Sequence, residues 1–243
     1  MSKPTVVIVP GAWQMPAAFD NFSRKLNEAG YPTYLVELPS VGGTEMPLSG
    51  LAGDIQAVRS ALNQVCQDGK KAMVLAHSAG GLSGSNAIEG YDVAGIIYLA
   101  AFVIPKGTSV LELVGGAPLP WMDVQDDRVF ARPNLVSQTF FNDLAPELQA
   151  KWASAMTHTS AALFATPSQY EPWANGVPRG YIFCSDDNAL PPPYQQQMIA
   201  QLGPEVVIAS LHAGHCPHLS VANELLHAFE SIVSQLRASE DVV

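Results

Sequence analysis

The residues that could do chemistry begin with a serine among small neighbours: Val74-Leu75-Ala76-His77-Ser78-Ala79-Gly80-Gly81. An apolar run, Lys71–Ala76, precedes it, and a helical pattern from Leu82 to Glu89 follows. A serine pinned between a strand and a helix, with small neighbours, reads as a nucleophile elbow. The turn is sharp, so bulky side chains two positions either side of the serine would collide with the flanking strand and helix. Ala76 and Gly80 meet that need, although the usual G-x-S-x-G has alanine in place of its first glycine. A serine hydroxyl is a poor nucleophile at neutral pH. It needs a base within hydrogen-bond reach and a third group that orients the base. Both types occur late in the chain. Ser185-Asp186-Asp187-Asn188 follows one apolar run, and His212-Ala213-Gly214-His215-Cys216-Pro217-His218 follows another. Spacing alone leaves two aspartates and three histidines open.

The elements that must position these residues alternate. Thr5–Val9 is a β-branched run and reads as a buried strand. Phe19, Phe22, Leu26 and Ala29 recur at helical spacing, closed by Gly30. Tyr34–Leu38 is a second strand, residues 39–50 a Gly/Pro-rich loop, and Leu51–Val65 an amphipathic helix. The elbow strand and helix come next, then a strand over Val93–Ala101. The alternation stops at Pro105 and resumes after Pro178 with strands at Gly180–Cys184 and Glu205–Leu211 and helices at Tyr194–Leu202 and Val221–Leu236, the tail from Ala238 being expected to fray. This order predicts an α/β fold, a mostly parallel sheet flanked by helices. Residues 1–104 and 179–243 form its core, and residues 105–178 are an inserted, largely helical cap. An insertion leaving a strand end lies at the carboxyl edge of the sheet, where ligands bind. Ser78, the aspartate loop and the histidine loop all follow strands, in the order this chemistry uses on such a sheet.

Composition narrows the class. Hydrophobic residues make up 48% and charged residues 14%, enough for one large core in 243 residues. A net charge of -10 without basic clusters argues against nucleic acid and anionic membranes as partners. No apolar run approaches the ~18 residues of a membrane span. The N-terminus has no charged region followed by a long apolar stretch, so no signal peptide is expected. Cys66, Cys184 and Cys216 are odd in number and lack metal-ligand spacing, consistent with free thiols in the cytoplasm. With no H-E-x-x-H, C-x-x-C or dinucleotide fingerprint, neither metal nor cofactor is expected. The expected partner is a small-molecule substrate, with a homodimer left open.

Several segments together resemble one family. They are Pro10–Trp13, the elbow Ala76–Gly81, Tyr98–Val103, Phe141–Leu144, Cys184–Pro191 and Gly214–Ser220. The chain resembles the plant methylesterase and hydroxynitrile lyase branch of the α/β hydrolases, with its microbial esterase relatives. The resemblance implies the α/β-hydrolase fold. It also implies Asp187, four residues before a proline, as the acid, and His215, in H-x-P-x-x-S, as the base. Asp186 matches a position with no catalytic role. The roles then follow: Ser78 attacks a carbonyl carbon, His215 moves the proton, and Asp187 holds the imidazole. The oxyanion is expected on the backbone N–H groups of Ala79 and Ala12. Pro10 stands where family members usually have histidine.

Trp13, His77, Trp121, Phe140, Trp152, His158, Phe164, Trp173, Cys216 and His218 are candidate substrate contacts, each equally readable as packing. The expected reaction is hydrolysis of methyl or aryl esters or lactones of small apolar or aromatic substrates through an acyl-enzyme. Hydroxynitrile-type lyases of this family carry a lysine after the catalytic histidine and a threonine in the oxyanion loop, where this chain has Cys216 and Ala12. C–C bond hydrolysis with the same triad, or non-enzymatic ligand reception on this fold, would also fit these residues.

Overall fold

The protein is described by a computed structural model covering residues 3–67 and 69–240. In chain order the first half contains β1 (Thr5–Val9), α1 (Asp20–Glu28), β2 (Thr33–Leu35), α2 (Leu51–Val65), β3 (Ala72–His77), α3 (Gly80–Ala87) and β4 (Gly95–Leu99). The middle contains α4 (Val110–Leu113), β5 (Met122–Gln125), β6 (Arg128–Ala131), α5 (Val136–Phe140), α6 (Pro146–Ser154), β7 (Thr159–Ser160) and α7 (Ala161–Ala165). The last part contains β8 (Arg179–Cys184), α8 (Pro192–Gln201), β9 (Val207–Leu211), α9 (Pro217–Ser220) and α10 (Ala222–Glu240). Six strands form one sheet in the order β2-β1-β3-β4-β8-β9, and every pairing in it is parallel.

The apolar runs read as strands because both faces of this sheet are covered. Side chains alternate across a strand, so each central strand feeds two cores. Val6 and Ile8 of β1, Met73 and Leu75 of β3, and Ile97 and Leu99 of β4 pack with Phe22, Leu26, Phe229 and Ile232 of α1 and α10. Val7, Val9, Val74, Ala76, Ile96 and Tyr98 face the other way, with Val58 and Leu62 of α2 and Leu82 of α3. Each buried Val, Leu, Ile, Phe or Met among them contributes about 1.5–3 kcal/mol by leaving water.

The differences from expectation have local causes. β4 is shorter than Val93–Ala101, because Ala100 turns to φ 41° and leaves the extended region. β2 is shorter than Tyr34–Leu38 at its far end: it stops at Leu35, the Val36 N–H making the last bond to β1, on the Ile8 carbonyl at 3.0 Å. The segment 105–178 is not only helical. It also holds an antiparallel sheet, β5-β6-β7, whose hairpin turns at Asp126 with φ 52°. A two-residue β7 leaves no periodicity to read. α10 runs through Ala238 to Glu240, where the sequence predicts fraying; Met1, Ser2 and the last three residues lie outside the described residues. Among the described residues no helix is long and apolar enough to cross a membrane.

One buried carboxylate ties this frame together. Asp54 of α2 is fully buried and accepts from the Ser40 N–H (3.0 Å), the Ser40 hydroxyl (2.8 Å) and the Ser83 hydroxyl of α3 (3.2 Å). Burial outweighs these bonds and pushes its pKa up from 3.8 to about 6. The native state therefore holds a proton that the unfolded state has released, and stability falls as pH rises from about 4 to 6. Asp54→Asn removes this dependence. The stability of the wild type relative to Asp54→Asn, measured by urea unfolding, is expected to drop by roughly 3 kcal/mol between pH 3.5 and 7. A constant difference would show that Asp54 does not titrate in this window.

Candidate active site

β3 ends at His77, and Ser78 takes φ 53°, a left-handed conformation uncommon for a residue with a side chain. Its carbonyl accepts from Gly81 N–H (3.1 Å) and Phe102 N–H (3.0 Å), so both neighbouring segments hold the turn. A Cβ on Gly80 would run into the carbonyl oxygens of Val9 and Pro10. Ala76 is tolerated before the serine because α3 presents Gly84 to it; a Cβ there would lie 3.3 Å from the Ala76 methyl.

The loops after β8 and β9 bring an acid and a base to this serine. His215 Nε2 lies 3.0 Å from Ser78 Oγ, and His215 Nδ1 lies 2.8 Å from Asp187 Oδ2. All three residues are buried. With Nδ1–H donating to the carboxylate, Nε2 is left as the acceptor for the serine hydroxyl. The other Asp187 oxygen accepts the N–H groups of Ala189 and Leu190, each at 2.8 Å. Gln195 of α8 reaches Oδ2 at 3.3 Å and also donates to the carbonyls of Cys184 and Leu190, while its own oxygen accepts the Cys184 N–H at 3.0 Å. Gln195 is one of three consecutive glutamines, so nothing in the sequence marked it. Asp186 and His212 pair with each other at 2.8 Å on the surface.

The remaining candidates separate by place. Trp13, Trp121, Phe140 and Phe164 line a small cavity with Ser78, Ala79 and His215, together with Phe102, Met122, Ala189 and Leu190, which sequence reasoning did not single out. The rings pack closely: Trp13 is 5.1 Å from Trp121, 5.2 Å from Phe164 and 5.8 Å from Phe140, centroid to centroid. Trp13 is itself at φ 65°, with its N–H on Thr159 Oγ1 (2.8 Å) and its indole N–H on the Val129 carbonyl (2.7 Å). The cavity measures about 10 Å³, room for about one water. A larger groove of about 590 Å³, between Gln14 and the 37–49 loop, contains no triad residue.

The others do not line this cavity. Trp152 borders a separate apolar pocket with Gln14 and Phe141. His158 lies 2.9 Å from the Gly43 carbonyl, and Trp173 sits in a short 3-10 turn against the core. Cys216 Sγ accepts from the Gln14 amide at 2.9 Å, and burial pushes its thiol well up, away from the nucleophilic thiolate. His77 donates Nε2–H to the His215 carbonyl at 2.8 Å, and burial, with His215 and His218 nearby, keeps it neutral.

His218 stacks on Phe19 at 3.9 Å, and neither of its ring nitrogens has a protein partner. Burial, then the neighbouring His215, lowers its pKa from 6.5 to about 3. The unfolded state takes up this proton first, so stability is lost as pH falls below about 6.5. His218→Phe keeps the stack and removes the titration. The wild type is expected to lose about 3 kcal/mol relative to His218→Phe between pH 7 and 4, read from denaturant midpoints at the two pH values.

A family model described as the alpha/beta hydrolase family matches residues 6–228. Methylesterase 7 of Arabidopsis thaliana is 28% identical over 251 residues, covering 90% of each chain. The pyrethroid hydrolase of Sphingobium wenxiniae is 27% identical over 252 residues, covering 94% of this chain and 87% of its own. The crystal structure of a pyrethroid hydrolase from Sphingobium faniae superposes with a TM-score of 0.78 at 24% identity, covering 96% of this chain and 98% of the other. A sheet of this topology, an elbow serine with acid and base in reach, and a family match over residues 6–228 lead to one conclusion: the chain belongs to the alpha/beta hydrolase family.

Proposed function

We propose that the protein hydrolyses carboxylic esters of small apolar or aromatic molecules through an acyl-enzyme on Ser78. The observation that carries this reading is the continuous chain from Ser78 through His215 to Asp187, ending in a cavity walled by aromatic rings. Methylesterase 7, among its relatives, is named for the same class of reaction. Ser78 Oγ attacks the ester carbonyl carbon while His215 Nε2 takes its proton. Asp187 stabilises the imidazolium, and its own charge is held by Ala189, Leu190 and Gln195. The oxyanion is received by the N–H groups of Ala12 and Ala79; the Trp13 N–H is already committed to Thr159. His215 then protonates the leaving alcohol, and a water activated by the same nitrogen releases the acid. Residues 105–178 act as the cap, supplying Trp121, Met122, Phe140 and Phe164 to the pocket. Cys216, neutral and buried beside His215, supplies no cation for a cyanide leaving group, which favours hydrolysis over the lyase reaction.

Two experiments test this reading. On a panel of p-nitrophenyl acetate, butyrate and octanoate with aromatic methyl esters, Ser78→Ala is expected to lower turnover on the order of 10⁶-fold. A folded wild type without turnover on the panel would remove the general esterase assignment. Trp121→Ala opens the ring cluster at its least buried member and is expected to raise the octanoate-to-acetate ratio of kcat/KM about tenfold. An unchanged ratio would show that these rings do not bound the acyl group.

A further inference from the structure

The cap does more than roof the cavity. α5 and the turn that ends it bond the residues on both sides of the acid and the residue before the base. Asn142 Nδ2 donates to the carbonyl of Asp186, the residue before Asp187, at 2.9 Å. Asn188, the residue after Asp187, donates its side-chain amide to the Gln138 carbonyl of α5 at 2.8 Å. Gly214, the residue before His215, donates its N–H to Asp143 Oδ2 at 2.8 Å. The approach of Asp143 is so close that a Cβ on Gly214 would lie 2.5 Å from Asn142 Oδ1 and 2.8 Å from Asp143 Oδ1. Phe140, at the end of the same helix, packs edge-on to the His215 ring at 5.6 Å and lines the cavity.

We infer that Asp143 is a positioning residue for the catalytic histidine. It acts through the Gly214 N–H, within a clamp (Gln138, Asn142, Asp143) by which the cap sets the distance between the Asp187 and His215 loops. The inference rests on Ser78 and His215 acting as nucleophile and base. Its physical basis is the shortness of a backbone tether. Because the Asp143 contact is on the residue directly before His215, a small displacement of Gly214 passes almost undiminished to Nε2. Misplacing a catalytic group by about 1 Å costs about 100-fold in rate. Asp143 is itself exposed, so its removal leaves the core intact.

The test compares wild type, Asp143→Ala and Asp143→Asn, the last keeping an acceptor oxygen for the Gly214 N–H. The rate of covalent labelling of Ser78 by a fluorophosphonate reagent is measured beside ester kinetics, since labelling needs no knowledge of the substrate. Asp143→Ala is expected to lower kcat and the labelling rate by about 10- to 100-fold, with KM and the melting temperature nearly unchanged. Asp143→Asn is expected to restore most of the loss. Labelling of Asp143→Ala at the wild-type rate would overturn the inference, as would equal losses in the two variants. A wild type labelled at Ser78 but inert on every ester removes the esterase reading while leaving the labelling comparison in force. If the wild type resists labelling, the low-field Nδ1–H proton resonance of His215 decides. Its loss in Asp143→Ala and return in Asp143→Asn supports the clamp, and an identical signal in all three proteins refutes it.

Discussion

The hydrogen bond from His215 Nδ1–H to Asp187 is the contact on which the rest of the site depends. A carboxylate 1% exposed has almost no water to stabilise its charge, so each lone pair must find a donor in the protein. Ala189 and Leu190 serve one oxygen, and His215 and Gln195 the other. Buried polar networks of this kind are rigid because each missing bond is expensive. His77, held neutral in the same interior, adds a bond to the His215 carbonyl, so the base is held at both its ring and its backbone.

The serine is held by a different kind of constraint. Its left-handed φ is a strained state, and strain of this kind persists only where the surroundings force it. Here the elbow is wedged between β1 and β4. Gly11 passes so near that a Cβ on it would lie 2.7 Å from Ser78 Cβ, and the Ser78 N–H is tied to the Leu99 carbonyl at 3.2 Å. The loop after β1 is anchored from the far side. Thr159 of β7 and Val129 of β6 bind the two nitrogens of Trp13, whose ring closes the cavity. The loop after β1 and the small β5-β6-β7 sheet therefore meet in Trp13, which stands beside Ala12, the donor proposed for the oxyanion. An aromatic wall this dense leaves no room for bulk water beside Ser78, which strengthens every electrostatic contact there.

Much of this was legible in the sequence, because it is written in local periodicity. The continuous apolar runs of β1, β3 and β4, with helices between them, specify a parallel sheet covered on both faces. A small-residue turn around Ser78 specifies the elbow. The order of serine, aspartate loop and histidine loop, each after a strand, follows from the chain itself, and Leu51–Val65 of α2 was readable to the residue. Spacing left two aspartates open; the family resemblance pointed to Asp187, and the tertiary structure gives the physical reason. Asp187 turns inward to the Ala189 and Leu190 N–H groups, whereas Asp186 turns outward to His212; adjacent residues on one loop differ only in the side they face. Of the candidate aromatics, Trp13, Trp121, Phe140 and Phe164 converge on Ser78, while Trp152 and Trp173 pack elsewhere. β7 and the Asp143 contact to Gly214 depend on partners far away in the chain, and such partners leave no local periodicity to read; Gln195 bonds partners five to eleven residues before it, across a loop that carries no periodic signal. What the sequence determined is therefore the sheet and the kinds of group at its carboxyl edge. Which of those groups meet, and the closed aromatic pocket in which they do so, arise only when distant segments are brought to hydrogen-bond and van der Waals range.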